Sequence, residues 1–440
     1  MRKPSLAFLV AALAVVAVPR AGSAGPDSTR LARDPEIWVV IGREQADELE
    51  MFLGREKLAS LLTVTEGNDV AQLARTRESR LGDLAAAIHA RFKRCGGFTA
   101  HETRAAALAA LDAAARPPAP EVVDYSIDNG PTVRALIAPM AADNVKSTIQ
   151  SLSSYATRYY TSTTGVQAAQ WLRDRWVGYA AGRGDVRVFL WSHTWAQPSV
   201  VARIQGTQFP NEAIVIGGHL DSTSSSGNAP GADDNASGVA SLTETFRAAM
   251  ATGYRPARTV FFMAYAAEEV GLRGSQAIAT AFASPTMRYK VVGKLQFDMT
   301  NYKRPTSAVD IGFLTEIGAP TPQTSHTNLA QTQFLVSLVT TYAQDIVPGS
   351  GASHDATTAC GYACSDHAPW NDRGIPSSIA FESKFGDHSP YIHTSNDTLA
   401  NSDPTAAHAV KFSKLGAAYM AELAKGTIVP PLTEESARRR

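Results

Sequence analysis

The chain has 440 residues, too many for one ordinary domain and enough for one large core plus an accessory piece. Apolar residues make up 44% and charged residues 19%, the balance of a soluble globular protein rather than a disordered one. The 41 basic side chains equal the 41 acidic ones, so no net field draws the protein to nucleic acid or to an anionic membrane.

The start has the layout of a secretory signal. A basic head (Met1-Arg2-Lys3) is followed by the apolar stretch Leu6 to Val18 and small residues at Ala21 to Ala24. The apolar run is too short to span a bilayer, and no later stretch is apolar enough to do so. Residues 1–24 are therefore expected to be removed, leaving a secreted protein, extracellular or periplasmic, with no membrane contact. An uncleaved anchor is the alternative. In residues 25–125, Val70, Leu73, Leu81, Leu84, Ile88 and Phe92 recur at mostly helical spacing in an Ala/Arg/Leu-rich context. The stiff, proline-rich run Arg116 to Glu121 then invites proteolysis. A mainly helical N-terminal propeptide fits this layout, and a permanent helical accessory domain is the other reading.

Helices and strands alternate from Asn144 onward. Ala168, Leu172, Trp176 and Tyr179 line one helix face, and strands are expected at 185–191 and 199–204. Ala213 to Ile216 is a fully apolar strand ending at Gly217-Gly218, and a helix opens after Ser237-Gly238. Further strands are expected at 259–265, 294–297, 310–315 and 377–381, and helices at 272–282 and 328–346. A last helix is expected from Ser402-Asp403-Pro404 to about Lys425, with the proline just inside its start. Continuous apolar strands separated by helices imply an α/β fold, with a mostly parallel, mixed central sheet covered on both faces. The catalytic domain is expected over 126–428, with a flexible tail at 429–440. Of the three cysteines, Cys360 and Cys364 lie close enough for a disulfide in an exported protein, which leaves Cys95 unpaired. A zinc site built from the close pair is less favoured, because no second cysteine pair follows at finger spacing.

Acidic or imidazole groups follow three successive core strands: His219 with Asp221, Glu268 with Glu269, and Asp298. Asp234 sits in the loop after the first. Ligands of open α/β sheets bind beyond the carboxyl ends of strands. Carboxylates crowded there repel one another unless cations neutralise them, so the cluster reads as a metal site. His393, on a loop, is a further candidate.

These stretches carry a resemblance. Residues 214–223, 231–238, 264–275 (AYAAEEVGLRGS), 295–303 (LQFDMTNYK), 360–370 (CGYACSDHAPW), 381–385 (FESKF) and 392–404 are similar to the secreted co-catalytic zinc aminopeptidases of peptidase family M28, nearest the bacterial leucyl aminopeptidases. The resemblance implies two zinc ions bridged by Asp234, one also held by His219 and Asp298, the other by Glu269 and His393. It implies Glu268 as general base, Asp221 orienting the His219 imidazole, and a cis peptide between Asp234 and Asn235. Met299, Leu314, Tyr362, Ile379, Phe381, Phe385 and Ile392 would line an apolar pocket for a Leu-like N-terminal side chain. The Tyr362 hydroxyl would reach the substrate carbonyl oxygen. His388 stands where relatives often carry an aromatic residue. The expected partners are peptides with a free N-terminus and the protein's own propeptide, with the chain a monomer. A binding ectodomain that has lost activity would be expected to lose ligands, and all of them are present. A single-zinc glutaminyl cyclase is a further alternative within the fold. A serine hydrolase lacks support, since there is no Gly-x-Ser-x-Gly elbow.

Overall fold

Ile37, Val39 and Ile41 point inward along Glu36–Gly42 and make it a strand, β1, although the surrounding composition favours helix. The computed structural model describes residues 34–116, 118–119, 121–315, 325–349 and 355–429. The expected signal segment, residues 25–33 of the expected propeptide and all but the first residue of the expected tail lie outside them. With β2 (Thr63–Gly67), β3 (Ala71–Arg77) and β4 (Phe98–His101), β1 builds a four-stranded antiparallel sheet of order β2-β3-β1-β4. Helices Arg43–Leu53, Leu81–Phe92 and Arg104–Ala115 accompany it. The expectation of a mainly helical N-terminal segment is thus corrected to a mixed α/β unit. Leu81, Leu84 and Ile88 do share the buried face of one helix, but Leu73 lies in β3. Strands of four to seven residues carry too short a period-two signal to stand out against Ala- and Arg-rich neighbours.

Past the linker come β5 (Val186–Trp191), β6 (Ser199–Ile204), β7 (Phe209–His219), β8 (Tyr254–Arg255), β9 (Arg258–Tyr265), β10 (Lys290–Phe297), β11 (Ile311–Leu314), β12 (Asp355–Thr358), β13 (Ser377–Phe381) and β14 (Thr427–Ile428). Eight of them form the main sheet, in the order β12-β11-β13-β10-β7-β9-β6-β5, while β8 pairs with β14. The centre is parallel, β7 pairing with both β9 and β10, and β10 with β13. Antiparallel pairs β5–β6, β6–β9 and β11–β13 make the sheet mixed.

Burial on both faces explains the unbroken apolar strands. Ile214 and Ile216 pack with the helices Gly238–Ala251 and Ala409–Ala424, and Ala213 and Val215 pack on the opposite face with Ile278 and Phe282. Two helix boundaries differ from expectation. The 328–346 segment breaks at Tyr342 into Leu329–Thr341 and Ala343–Ile346. The last helix begins at Ala409 rather than beside Pro404, because the Asp403 carboxylate accepts the N–H groups of Thr405 and His408 (2.9 Å each) and holds a turn there instead.

The N-terminal unit packs directly on the domain that follows the linker. Ile37, Leu84, Ile88 and Phe98 share a core with Tyr160, Trp195, Ala267 and Val270. The Ala100 N–H donates to the Gly271 carbonyl at 3.0 Å. The buried Arg273 guanidinium donates to Glu78 at 2.7 Å and lies 4.4 Å from the Trp195 ring centre. Removing one partner of a buried ion pair leaves the other charge uncompensated, at a cost of about 3–5 kcal/mol. Because Glu102 also lies 3.7 Å from Arg273, Glu78→Ala is expected to lower the unfolding free energy of the full chain by less than that in urea denaturation, and an unchanged midpoint would show that the pair is not buried in solution.

Candidate metal centre

The ends of β10, β7 and β9 lie side by side in the sheet, which brings the three acidic strand ends together. His219 is the last residue of β7, and Asp298 follows β10 directly. After β9 the chain leaves extended geometry, with Ala267 at φ 58°, so that Glu268 and Glu269 escape the alternation of a straight strand. The Asp221 carboxylate fixes this turn by accepting the N–H groups of Glu268 (3.0 Å) and Glu269 (3.1 Å). Its carbonyl lies 3.1 Å from His219 Nδ1, while its carboxylate is 3.7 Å away. Asp221 therefore orients the imidazole mainly through its main chain, which leaves Nε2 free to face the cleft.

Asp234 is held as firmly. Asp397 accepts the N–H groups of Asp233 (2.9 Å) and Asp234 (3.0 Å), and the peptide between Asp234 and Asn235 is cis. The Asn235 side chain ties the turn to the end of β10 through the Phe297 carbonyl (3.0 Å) and the Met299 N–H (3.2 Å). Buried Arg158 donates to the Leu220 and Gly231 carbonyls, at 2.8 Å each. Ser365 donates to Asp298 from behind.

The two oxygens of Asp234 face different partners. Oδ1 lies 3.0 Å from His219 Nε2, which is 3.2 Å from Asp298 Oδ1. Oδ2 lies 3.1 Å from His393 Nε2, which is 2.8 Å from Glu269 Oε2. Yet His219 Nε2, His393 Nε2, Asp234 Oδ1, Asp298 Oδ1 and both Glu269 oxygens are buried without a hydrogen-bond partner. Such orphaned atoms are costly unless a shared cation satisfies them. One nitrogen or oxygen atom from each of His219, Asp234 and Glu269 falls within 4.8 Å of the others, a span a metal ion can bridge. Imidazole and carboxylate are the donors zinc takes in catalytic sites, so the residues fit the metal that the sequence implies.

Charge points the same way. Burial, reinforced by Glu269 and Asp298, pushes the Glu268 carboxyl well above the usual carboxylate range despite the nearby His219 imidazole. Burial also pushes Glu269 up, to about 7. Burial opposes a charge on His393, but Glu269 and Asp234 outweigh it and raise the imidazole to about 10. His219 is likewise raised, by Asp298 and Glu268 against burial. Without a metal, the imidazoles thus take up protons to balance the carboxylates.

Met299, Leu314, Tyr362, Ile379, Phe381, Phe385 and Ile392 gather into one apolar cluster beside this centre, together with the Cys360–Cys364 disulfide. His388 packs against Phe381 and Phe385. His367 is buried, its Nε2 2.8 Å from the Ser325 carbonyl. Asp397, Arg158 and Ser365 escape sequence reasoning because their roles run through backbone atoms and outer hydrogen bonds. Asp397, four residues past His393, and Ser365, within 360–370, sit in stretches that could have flagged them, whereas Arg158 does not. Two residues of the N-terminal unit also reach the centre: Cys95 Sγ donates to Asp234 Oδ2 at 3.0 Å, and the His89 ring lies 4.5 Å from that of His393.

Residues 199–418 match the model of peptidase family M28. The chain belongs to that family. Like its other members it is a metallo-hydrolase, and it has the aminopeptidase fold. This M28 chain is 35% identical over 312 residues to a probable leucine aminopeptidase 1 of Trichophyton verrucosum, covering 68% of the chain and 79% of the relative. It is equally close to leucine aminopeptidase 1 of Arthroderma gypseum, with the same identity and coverage. Among solved structures, the LapA aminopeptidase of Legionella pneumophila superposes with a TM-score of 0.73 at 28% identity, covering 89% of this chain and 98% of LapA. LapB of the same organism gives 0.73 and 28%, covering 88% and 99%. These overlaps exceed what the segment after the linker alone could supply, so the N-terminal unit is part of the shared fold.

Because a metal ion takes neutral imidazole, binding near neutral pH must displace the protons that His219 and His393 hold. Apparent zinc affinity is therefore expected to weaken as pH falls. Calorimetry in two buffers of different ionisation enthalpy should register net proton release, and identical heats in both would remove the histidines from the ligand set.

Proposed function

We propose that the chain is a secreted di-zinc aminopeptidase that removes leucine and other apolar residues from the N-terminus of peptides and proteins. The reading rests on Asp234, whose two oxygens are directed at separate imidazole–carboxylate pairs: His219 with Asp298, and His393 with Glu269. A site for one ion would leave one of these pairs unsatisfied, which weighs against a single-zinc acyltransferase. Two divalent ions would also balance the four acidic residues Asp234, Glu268, Glu269 and Asp298. The names of the fungal relatives and of LapA support aminopeptidase chemistry.

When bound, such a pair of ions supplies Lewis acidity toward the scissile carbonyl and makes water a nucleophile at neutral pH. Glu268, adjacent to a ligand and without a hydrogen-bond partner, takes the proton of the attacking water and hands it to the leaving amine. Asp221 holds Glu268 and Glu269 in place through their amides. The Tyr362 hydroxyl, beside the apolar pocket, donates to the substrate carbonyl oxygen. The pocket from Met299 to Ile392 receives the side chain of the N-terminal residue and excludes water from it.

We also propose the segment division: signal peptide 1–24, propeptide 25–125 and catalytic domain 126–428. The linker supports a cut there, since its described residues have neither helix nor strand and Val122 is 97% exposed. No helix of the described residues is long and apolar enough to cross a membrane.

The processed protein is expected to hydrolyse leucine p-nitroanilide but not its N-acetylated analogue, to lose activity with a chelator, and to recover it with about two zinc equivalents. Glu268→Gln is expected to lower kcat by about 10²–10⁴-fold while the metal content stays at two. Hydrolysis of the acetylated substrate, or full activity in Glu268→Gln, would overturn the reading.

A further inference from the structure

We propose that in the uncut chain the Cys95 thiolate is an additional metal ligand, taking the position between Asp234 and His393, and that the turn carrying it fills the cleft as a substrate would. The proposal rests on the di-zinc reading and extends it to the inactive precursor.

Cys95 lies between the helix Leu81–Phe92 and β4, in a turn where Lys93, Gly96 and Gly97 all have positive φ (56°, 53° and 103°). The tight turn drives Cys95 out of the N-terminal unit and into the catalytic domain. Its Sγ, an Asp234 oxygen and a His393 ring nitrogen lie within 4.8 Å of one another, the spacing of a metal site. A second observation is independent of the cysteine: His393 Nε2 is aimed at the same point, buried and without a hydrogen-bond partner, in a residue only 4% exposed. Thiolate is a zinc ligand as good as imidazole or carboxylate. Coordination would form an Sγ–metal bond and release the thiol proton to solvent, with no redox step.

The rest of the turn covers the groups a substrate needs. The Tyr362 hydroxyl donates to the Cys95 carbonyl at 2.7 Å, so that carbonyl takes the place proposed for the scissile one. A Cβ on Gly96 would lie 3.9 Å from Glu268 Oε1, which places this backbone against the proposed base. Arg94 lies 3.9 Å from the Tyr362 ring centre. The space left in the apolar pocket is about 20 Å³, enough for about one water and not for a leucine side chain. Metal, base, hydroxyl and pocket are thus all occupied by one turn of the same chain, which would be released only when the linker is cut.

Cobalt(II) is the probe, because a thiolate ligand gives it a charge-transfer absorption in the near ultraviolet that imidazole and carboxylate do not. With Cys360 and Cys364 joined, Cys95 is the sole thiol, so the signal has one source. The uncut chain carrying two cobalt ions is expected to show the band, and Cys95→Ser with the same cobalt content is expected to lack it. In the zinc-loaded wild-type chain, Cys95 should resist iodoacetamide until a chelator is added, a test that stands even if the serine variant misfolds. Cleavage within 116–125 should abolish the band and switch on leucine p-nitroanilide hydrolysis. Two bound cobalt ions without the band, or alkylation at the same rate with and without metal, would overturn the thiolate ligand while leaving the aminopeptidase reading intact if the cut protein is active. A cut, metal-loaded protein inactive on every free N-terminus would overturn both.

Discussion

Uncompensated negative charge is the constraint on which the rest of this structure depends. Asp234, Glu268, Glu269 and Asp298 are all buried at the carboxyl ends of three adjacent strands. Burial alone raises the free energy of each charged form, and proximity raises it again. Protonation of His219 and His393 is a partial remedy, visible in their raised pKa values. Divalent cations are the complete one. Much of the surrounding architecture serves to hold these groups against their mutual repulsion. Asp221 and Asp397 each spend a carboxylate on two backbone N–H groups, an arrangement that keeps the peptide units of the ligands fixed. Arg158 supplies buried positive charge behind the loop that carries Asp234.

The sheet explains why such a cluster can form at all. Parallel neighbours β10, β7 and β9 run side by side, so the last residue of β7 and the residues that follow β9 and β10 arrive at a common crevice. A straight strand would have sent Glu268 and Glu269 to opposite sides. The left-handed Ala267 and the two N–H groups captured by Asp221 let both reach the cleft, one as a proposed base and the other as a proposed ligand.

The catalytic domain was legible in the sequence because its signals are local. Apolar runs such as Ala213 to Ile216 mark strands buried on both faces, and the acidic residues just past them mark the crevice. The clustering of Met299, Leu314, Tyr362, Ile379, Phe381, Phe385 and Ile392 came from the resemblance, since apolar residues scattered over a hundred positions carry no joint signal of their own. The N-terminal unit was read as helical because its strands are short and its composition is rich in helix formers, and tertiary pairing of β1 with β3 and β4 outweighs that propensity. The start of the last helix is not legible because a Ser-Asp-Pro cap and an Asp-anchored turn look alike in sequence. Cys95 and His89 were passed over for a different reason: residues 139 positions apart, as Cys95 and Asp234 are, meet only through the docking of two units.

That docking also explains why an accessory segment would need a sheet of its own. A flexible peptide entering the cleft would lose the conformational entropy of every residue it orders, roughly 1–2 kcal/mol each for the backbone alone. Here the turn from Lys93 to Gly97 is held between a helix and a strand, and the unit behind it is anchored by a shared apolar core and the Arg273–Glu78 pair. Ordering is completed when the unit folds, so the contacts of Cys95 with Asp234 and of its carbonyl with Tyr362 are made without a further loss of freedom. The same logic would make the proposed block reversible by a single cut. Once the linker is severed, the unit is held by non-covalent contacts and is no longer at the high effective concentration that the tether enforces. On the proposed block, the tethered unit would outcompete peptide substrates for the cleft, and the severed unit would become one ligand among them.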